Sequence, residues 1–179
     1  MRLNQPRLNP LTDEELPDAV KQAMGSGPML NIFRTLAHHP GLMKRWLVFA
    51  NHILGKSTLA PRERELVILR IGWLCRSGYE WGQHVQIGLG SGLTPEEIDQ
   101  IPLGARGDGW NDLDRALLDA TDELHSDAFV SDATWARLAS LDDQQRIDFV
   151  FTVGQYNLVS MALNTLGVQP EPGLPEFPR

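Results

Sequence analysis

The sequence predicts an all-α protein of about seven or eight helices. No segment alternates apolar and polar residues as a half-buried strand does, and Gly, Pro and Asp turn signals flank pieces of helix length. The longest apolar-rich run, residues 61–92, divides at Arg76-Ser77-Gly78 into two such pieces. We therefore predict a central helix pair joined by a tight turn.

The elements before this pair are short. Residues 1–11 contain two prolines and predict an extended arm. Thr12, with Glu15 three residues later, predicts a capped helix that runs to about Met24 and ends in the turn Gly25-Ser26-Gly27-Pro28. Two more helices are expected before residue 61, one around Leu30, Phe33 and Leu36 and one from Pro40 to about Leu54.

The first helix of the central pair is apolar on more than one face, so we expect it to be buried. The second ends at Gly90 or Gly92. Thr94-Pro95-Glu96-Glu97 is typical of a helix start, and this short helix ends near Ile101, before a loop at 102–110. Three further helices are predicted to begin at Asp112, at Ser131 and Asp132, and at Asp142 or Asp143.

The last of these helices contains Gly154 and ends at Gly167. The Pro-rich segment after it cannot be helical and should lie over the surface or over a neighbouring subunit. The predicted organisation is an N-terminal arm and helix (1–27), a helical domain (28–168) and a C-terminal tail (169–179).

Composition excludes several functions. The formal net charge is −7, which disfavours a nucleic-acid or anionic-membrane binder because phosphate contacts need a basic surface. No apolar run is long enough for a membrane span, and the N-terminus lacks the apolar core of a signal peptide. The single cysteine cannot form an internal disulfide, which favours a reducing cytoplasm.

The central pair concentrates groups that can move protons among Ile, Leu, Val and Trp. Glu80 and His84 are four residues apart and share one helix face, where a carboxylate can tune an imidazole for proton transfer. Tyr79 lies beside them and can donate to a developing enolate. The alternative is an ordinary salt bridge between Glu80 and His84 on a solvated face.

The sequence gives little support for a nucleotide-binding site or a metal site. No glycine-rich loop follows a strand, and no His/Cys cluster has zinc spacing. A metal held by His84 with Glu65 or Glu80 has too few ligands, so we predict neither a metal nor a cofactor.

The central segment resembles the carboxymuconolactone decarboxylase family, which includes the alkylhydroperoxidase D-like proteins. The resemblance rests on YEWGQH at the turn, GLTPEEI after it, and the spacing from Glu65 to His84. The redox members carry Glu, Cys, His, Cys and His at positions that fall on Glu65, Ser77, Tyr79, Glu80 and His84. The first Glu and last His match, but both cysteines are replaced.

The resemblance covers most of residues 28–168 and implies an all-α bundle that assembles as a homotrimer or hexamer. Dithiol peroxidase chemistry needs one thiolate to attack and a second to resolve the disulfide. The only cysteine, Cys75, is two residues out of place, so the resemblance leaves the Glu65–His84 proton relay without the thiols.

We therefore expect a cofactor-free lyase or isomerase that acts on a small carboxylated lactone or oxo-acid. His84 would be the general acid/base and Glu65 would orient it, while Tyr79 would stabilise an oxyanion and Glu80 would carry a second proton. The candidate substrate-binding residues are Trp81 as an apolar wall, Arg70 for the substrate carboxylate unless a neighbouring acid pairs with it, and Tyr156 and Asn157 to close the pocket.

Two other functions remain open. Cys75 could serve a peroxidase that uses an external thiol. The same pocket could also hold a small apolar acid without changing it.

Overall fold

The computed structural model describes residues 2–25 and 27–178, and over this part of the chain every regular element is a helix. The α-helices are α1 (Asp18–Met24), α2 (Asn31–Leu36), α3 (Pro40–Gly55), α4 (Pro61–Leu74), α5 (Gly78–Gly90), α6 (Pro95–Gln100), α7 (Asp112–Asp127), α8 (Asp132–Arg137) and α9 (Asp143–Leu166). Met1, Ser26 and Arg179, parts of the predicted arm, turn and tail, lie outside the described residues. The all-α prediction is confirmed, although these residues form nine α-helices rather than seven or eight.

Helix α4 is the centre of the fold, as its apolar faces predict. Val67, Ile68 and Ile71 pack against α7 and α9, whereas Leu66 and Leu69 pack on the other side against α5 and α6. All five side chains are fully buried. A helix with apolar side chains on more than one face can remove all of them from water only inside the molecule.

Local capping signals set most helix boundaries. Thr94 and Glu97 form the reciprocal capping box of α6, and Asp142 caps α9 in the same way. At α7 the cap is Asn111 rather than Asp112, because the Asn111 side chain accepts from the backbone of Asp114 and so places Asp112 inside the first turn.

The first helix begins later than the sequence predicted. Thr12 and Glu15 do form the expected bond, with 2.9 Å between Thr12 N and Glu15 Oε2, but only a single turn follows. Pro17 disfavours the helical conformation at Leu16, so α1 starts at Asp18. The segment predicted as a loop at 102–110 also differs, since 3₁₀ turns (Ile101–Arg106) follow α6 directly and are interrupted by a kink at Gly104, whose φ is 60°.

The turn between α4 and α5 lies where the sequence placed it. Arg76 adopts a left-handed conformation (φ 54°), and the Ser77 N–H donates to the carbonyl of Gly72. Helices α4 and α5 then run back along each other, which places residues near the start of α4 beside the middle of α5.

The C-terminal tail lies along α5 of its own chain. Phe177 stacks on Trp73, with ring centroids 4.8 Å apart. A side chain at Gly82 would meet Leu174 and the carbonyl of Pro175 at 3.1 Å, so this glycine lets the tail backbone approach the helix. Over the described part of the chain, no helix combines the length and hydrophobicity that crossing a bilayer requires.

Candidate active site

A carboxylate and an imidazole from adjoining helices meet in the interior. Glu65 of α4 and His84 of α5 are both buried, and the His84 Nδ1–H donates to Glu65 Oε2 over 2.7 Å. This bond fixes the imidazole tautomer and its orientation, which leaves Nε2 as the nitrogen able to exchange a proton with another molecule.

Arg64 supplies the positive charge beside this pair. Its Nε donates to Glu65 Oε1 at 3.0 Å, so both oxygens of the carboxylate are engaged. A buried carboxylate needs such pairing to remain charged. The sequence did not identify Arg64, because consecutive helical residues normally point in different directions and no local pattern signals this contact.

His84 opens onto a cavity of about 140 Å³ between α2, α3, α5 and α9. Its ring packs edge-on against Tyr156 with 4.8 Å between ring centroids. Most of the cavity wall is aliphatic or aromatic, and its polar side chains are Asn51, Tyr79, Glu80, Gln83, His84, Gln155 and Tyr156. Few polar groups in an apolar hollow are typical of a small-molecule site.

Glu80 is buried but does not pair with His84. Its Oε2 accepts from the Ser160 hydroxyl at 2.8 Å, and its Oε1 has no hydrogen-bond partner among the described residues. Burial raises the pKa of Glu80 well above its ordinary value, which favours the neutral acid. The solvated Glu80–His84 salt bridge considered from the sequence is therefore wrong.

The Tyr79 hydroxyl is already engaged. It donates to Glu171 Oε1 in the tail at 3.0 Å and accepts from the backbone N–H of Ile32 at 3.3 Å. Burial, together with the nearby Glu171 charge, raises the pKa of Tyr79 above its ordinary value, and the phenol stays protonated.

Tyr156 meets His84 as expected for a residue that closes the pocket, and burial raises the pKa of its phenol. Three other candidates lie elsewhere. Trp81 packs against Trp73 and Phe177, away from the cavity lining.

Arg70 and Asn157 are also directed away from the cavity. The Nε and Nη2 atoms of Arg70 each donate to the Asp122 carboxylate at 2.6 Å, and Nη1 donates to the carbonyls of Ile101 and Pro102. Asp122 is therefore the neighbouring acid whose pairing was the alternative to a substrate contact of Arg70. Asn157 accepts from the thiol of Cys75 at 3.1 Å.

Cys75 has the properties of an unreactive thiol. Burial, followed in size by the nearby Glu80, raises the pKa of Cys75 to about 11, so little thiolate is present near neutral pH. Among the side chains that the structure describes, no group of three or more His, Cys, Asp or Glu residues is placed to hold a metal ion.

Comparison with known proteins confirms the family resemblance. Residues 40–123 match the model of the carboxymuconolactone decarboxylase family, a segment that contains Glu65, Tyr79, Glu80 and His84. No curated protein matches the chain.

Solved structures share the alkylhydroperoxidase D-like fold. An uncharacterized peroxidase-related protein from Ralstonia eutropha, described as an alkylhydroperoxidase AhpD core, is 22% identical with a TM-score of 0.77 and covers 96% of this chain and 92% of its own. A protein of unknown function from Agrobacterium tumefaciens, described as a putative antioxidant defence protein AhpD, is 18% identical with a TM-score of 0.71 over 76% and 94%. A variant of the debrominase Bmp8 in complex with 2,3,4-tribromopyrrole is 17% identical with a TM-score of 0.74 over 94% of each chain. At these identities the likeness shows the fold alone.

Proposed function

Because this chain carries the carboxymuconolactone decarboxylase family segment at residues 40–123, we propose that it is an acid/base enzyme of that kind. The proposed activity is that of a cofactor-free lyase or isomerase acting on a small carboxylated lactone or oxo-acid. The observation that carries the proposal is the buried 2.7 Å bond between Glu65 and His84 at the wall of a small, mostly apolar cavity.

In the proposed decarboxylation, the bond between the substrate carbon and its carboxylate breaks and carbon dioxide leaves. The electron pair remains on the substrate as an extended enolate, and the imidazolium of His84 returns a proton to carbon before solvent reprotonates the ring. Glu65 holds the imidazole in place through its hydrogen bond, and Arg64 balances the Glu65 charge.

The enolate oxygen needs a donor that does not carry a negative charge itself. Glu80 meets this requirement, because burial keeps its carboxyl group protonated and it lies in the cavity wall. Tyr79 can take the same role only where Glu171 has released its hydroxyl. Tyr156, whose ring packs against that of His84, would help to hold the substrate beside the imidazole.

Substitution of His84 tests this function. We expect His84→Gln to lower the rate of carbon dioxide release from carboxymuconolactone by about 10²- to 10⁴-fold, the usual contribution of a general acid/base. Glu65→Gln should also lower the rate of carbon dioxide release, because Glu65 orients the imidazole of His84. Deuterium incorporation from heavy water into the product measures the proton transfer to carbon directly.

The matched control is His125→Gln, since His125 lies beside Cys75 and outside the cavity lining. Full activity of His84→Gln would contradict the proposal. Loss of peroxide reduction in Cys75→Ser would instead support the thiol peroxidase alternative, and a ligand that is bound but unchanged in mass would support the binding-protein alternative.

The proposal includes assembly as a homotrimer or hexamer and a cytoplasmic location. Exposed apolar residues along α9 support the assembly, and the single cysteine is consistent with a reducing compartment.

A further inference from the structure

The tail places a carboxylate at the edge of the candidate site. Glu171 Oε1 accepts from the Tyr79 hydroxyl at 3.0 Å and from the backbone N–H of Asn31 at 2.6 Å. Its Oε2 accepts from the side-chain amide of Gln83, also at 2.6 Å. Three donors from two helices therefore converge on one carboxylate and satisfy both of its oxygens.

The two side-chain donors occupy a helix face next to the proton-transfer groups. Tyr79 and Gln83 are four residues apart on α5 and form one row, while Glu80 and His84 form the adjacent row. All four side chains line the same cavity. A molecule whose carboxylate lay at the Tyr79–Gln83 row would therefore present its body to Glu80 and His84.

Only neutral donors hold the Glu171 carboxylate. None of the salt bridges between described residues includes Glu171, although an acid that had to stay in place would gain from an Arg or Lys partner. Exchanging this carboxylate for another carboxylate keeps all three hydrogen bonds, so the exchange costs little apart from moving the tail segment.

The tail has other attachments that do not involve Glu171. Phe177 stacks on Trp73, Leu174 and Pro175 contact α5 at Gly82, and the carbonyl of Gln169 accepts from the Asn31 side chain at 3.0 Å. The tail can thus stay on α5 while Glu171 turns away. The contact with Tyr79 and Gln83 is consequently not needed to keep the tail on the protein.

We propose that Tyr79 and Gln83 form a carboxylate-binding subsite in which Glu171 is an internal occupant that a small-molecule carboxylate displaces. The subsite selects compounds in which a carboxylate is attached to a compact, largely apolar body that fits the cavity of about 140 Å³. The inference rests on the proposed function only in identifying that compound as the substrate. It also assigns to Tyr79 and Gln83 the carboxylate recognition that Arg70 does not provide, since Arg70 is bound to Asp122.

Binding of benzoate and its uncharged isostere benzamide tests the subsite. An apolar cavity of roughly 150 Å³ accommodates a benzene ring, so both probes suit the space. In the full-length protein we expect Glu171→Ala to lower the dissociation constant for benzoate by about tenfold or more, because the internal competitor is removed. Benzamide should bind this variant more weakly than benzoate, since the donors of the subsite prefer a charged acceptor.

Glu176→Ala is the matched control, because Glu176 is an exposed acid of the same tail. It should leave the affinity for benzoate unchanged. Adding Gln83→Leu to Glu171→Ala removes one of the donors and should cancel the gain. Circular dichroism confirms that each variant is folded.

Several results would overturn the subsite: no benzoate binding by Glu171→Ala, no gain over the wild type, or equally tight binding of benzoate and benzamide by the variant. His84→Gln separates this proposal from the function above. In the Glu171→Ala background, His84→Gln should still bind benzoate. Loss of the enzymatic reaction would then concern the proposed function, whereas loss of benzoate binding by Glu171→Ala would concern the subsite.

Discussion

At the scale of single residues, the most unusual group is the neutral Glu80. Its carboxyl is fully buried with one hydrogen bond, from Ser160, and burial raises its pKa well above the ordinary 4.5. The sequence identified Glu80 as a proton carrier, but on the expectation that it would pair with His84. The pKa of Glu80 depends on how completely the surrounding helices exclude water, and this burial cannot be predicted from the neighbouring residues in the sequence.

Glu80 should make stability depend on pH. Because its folded pKa is raised, its contribution is fully present below the unfolded pKa of 4.5 and is lost as pH rises toward the folded value. Over that window the wild-type free energy of unfolding should fall by up to about 1.4 kcal/mol per pH unit. Glu80→Gln keeps an acceptor for Ser160 and removes the titration, so its stability should fall less with pH.

Urea denaturation at pH 5, 7 and 8.5 measures this difference. Glu176→Gln is the comparison, since it removes an exposed acid and should follow the wild-type profile. Parallel profiles for wild type and Glu80→Gln would show that Glu80 ionises normally in the folded protein.

At the scale of elements, the close crossing of α4 and α5 builds the site. Gly72 lies where the two helices approach, and a methyl group there would come within 2.9 Å of Glu80 Oε1. The glycine thus provides the space in which the buried acid sits. It is part of the predicted helix, but nothing in the sequence indicates that a side chain from the neighbouring helix fills the space beside it.

Gly72→Ala should therefore destabilise the helix pair. The added methyl group overlaps a side chain that is itself fully buried, and overpacking of this kind costs about 1–3 kcal/mol. Gly90→Ala is the matched control, because a methyl group at the end of α5 meets nothing within 4 Å. Urea denaturation of both variants measures the difference, and equal stability would mean that Glu80 moves aside without cost.

At the scale of the whole molecule, an apolar face of α9 is left largely exposed in the part of the chain that the structure describes. Ile147, Phe151, Leu158 and Met161 follow one face of α9, and each is more than half exposed. Gly154 lies in the same row and has open space beside it, which permits another helix to approach closely. A second copy of the chain is the occupant that the proposed trimer or hexamer supplies.

Substitution on this face tests the assembly. We expect the wild type to elute as a trimer or hexamer and Met161→Asp to shift toward a smaller species, because a buried unpaired charge opposes association. Phe129→Asp is the control, since Phe129 is also exposed but lies beyond the end of α7. Size-exclusion chromatography with light scattering measures the masses, and a monomeric wild type would contradict the proposal.

The sequence by itself determined the helical class and most helix boundaries, and it singled out Glu65 and His84 as candidate site residues. Capping boxes and apolar periodicity act within a few residues, so they can be read before the chain folds. The exceptions, such as α1, arise where local signals conflict, as at Pro17.

Only the tertiary structure decided which groups meet. It turned Glu80 from His84 to Ser160, directed Arg70 to Asp122, and brought Glu171 to Tyr79, whereas the contact of Glu65 with His84 agrees with what the family resemblance implied. These contacts join residues from 19 to 92 positions apart in the chain. They depend on the angles at which packed helices cross and on the rotation of each helix about its axis. The residue pattern within one helix does not predict either quantity.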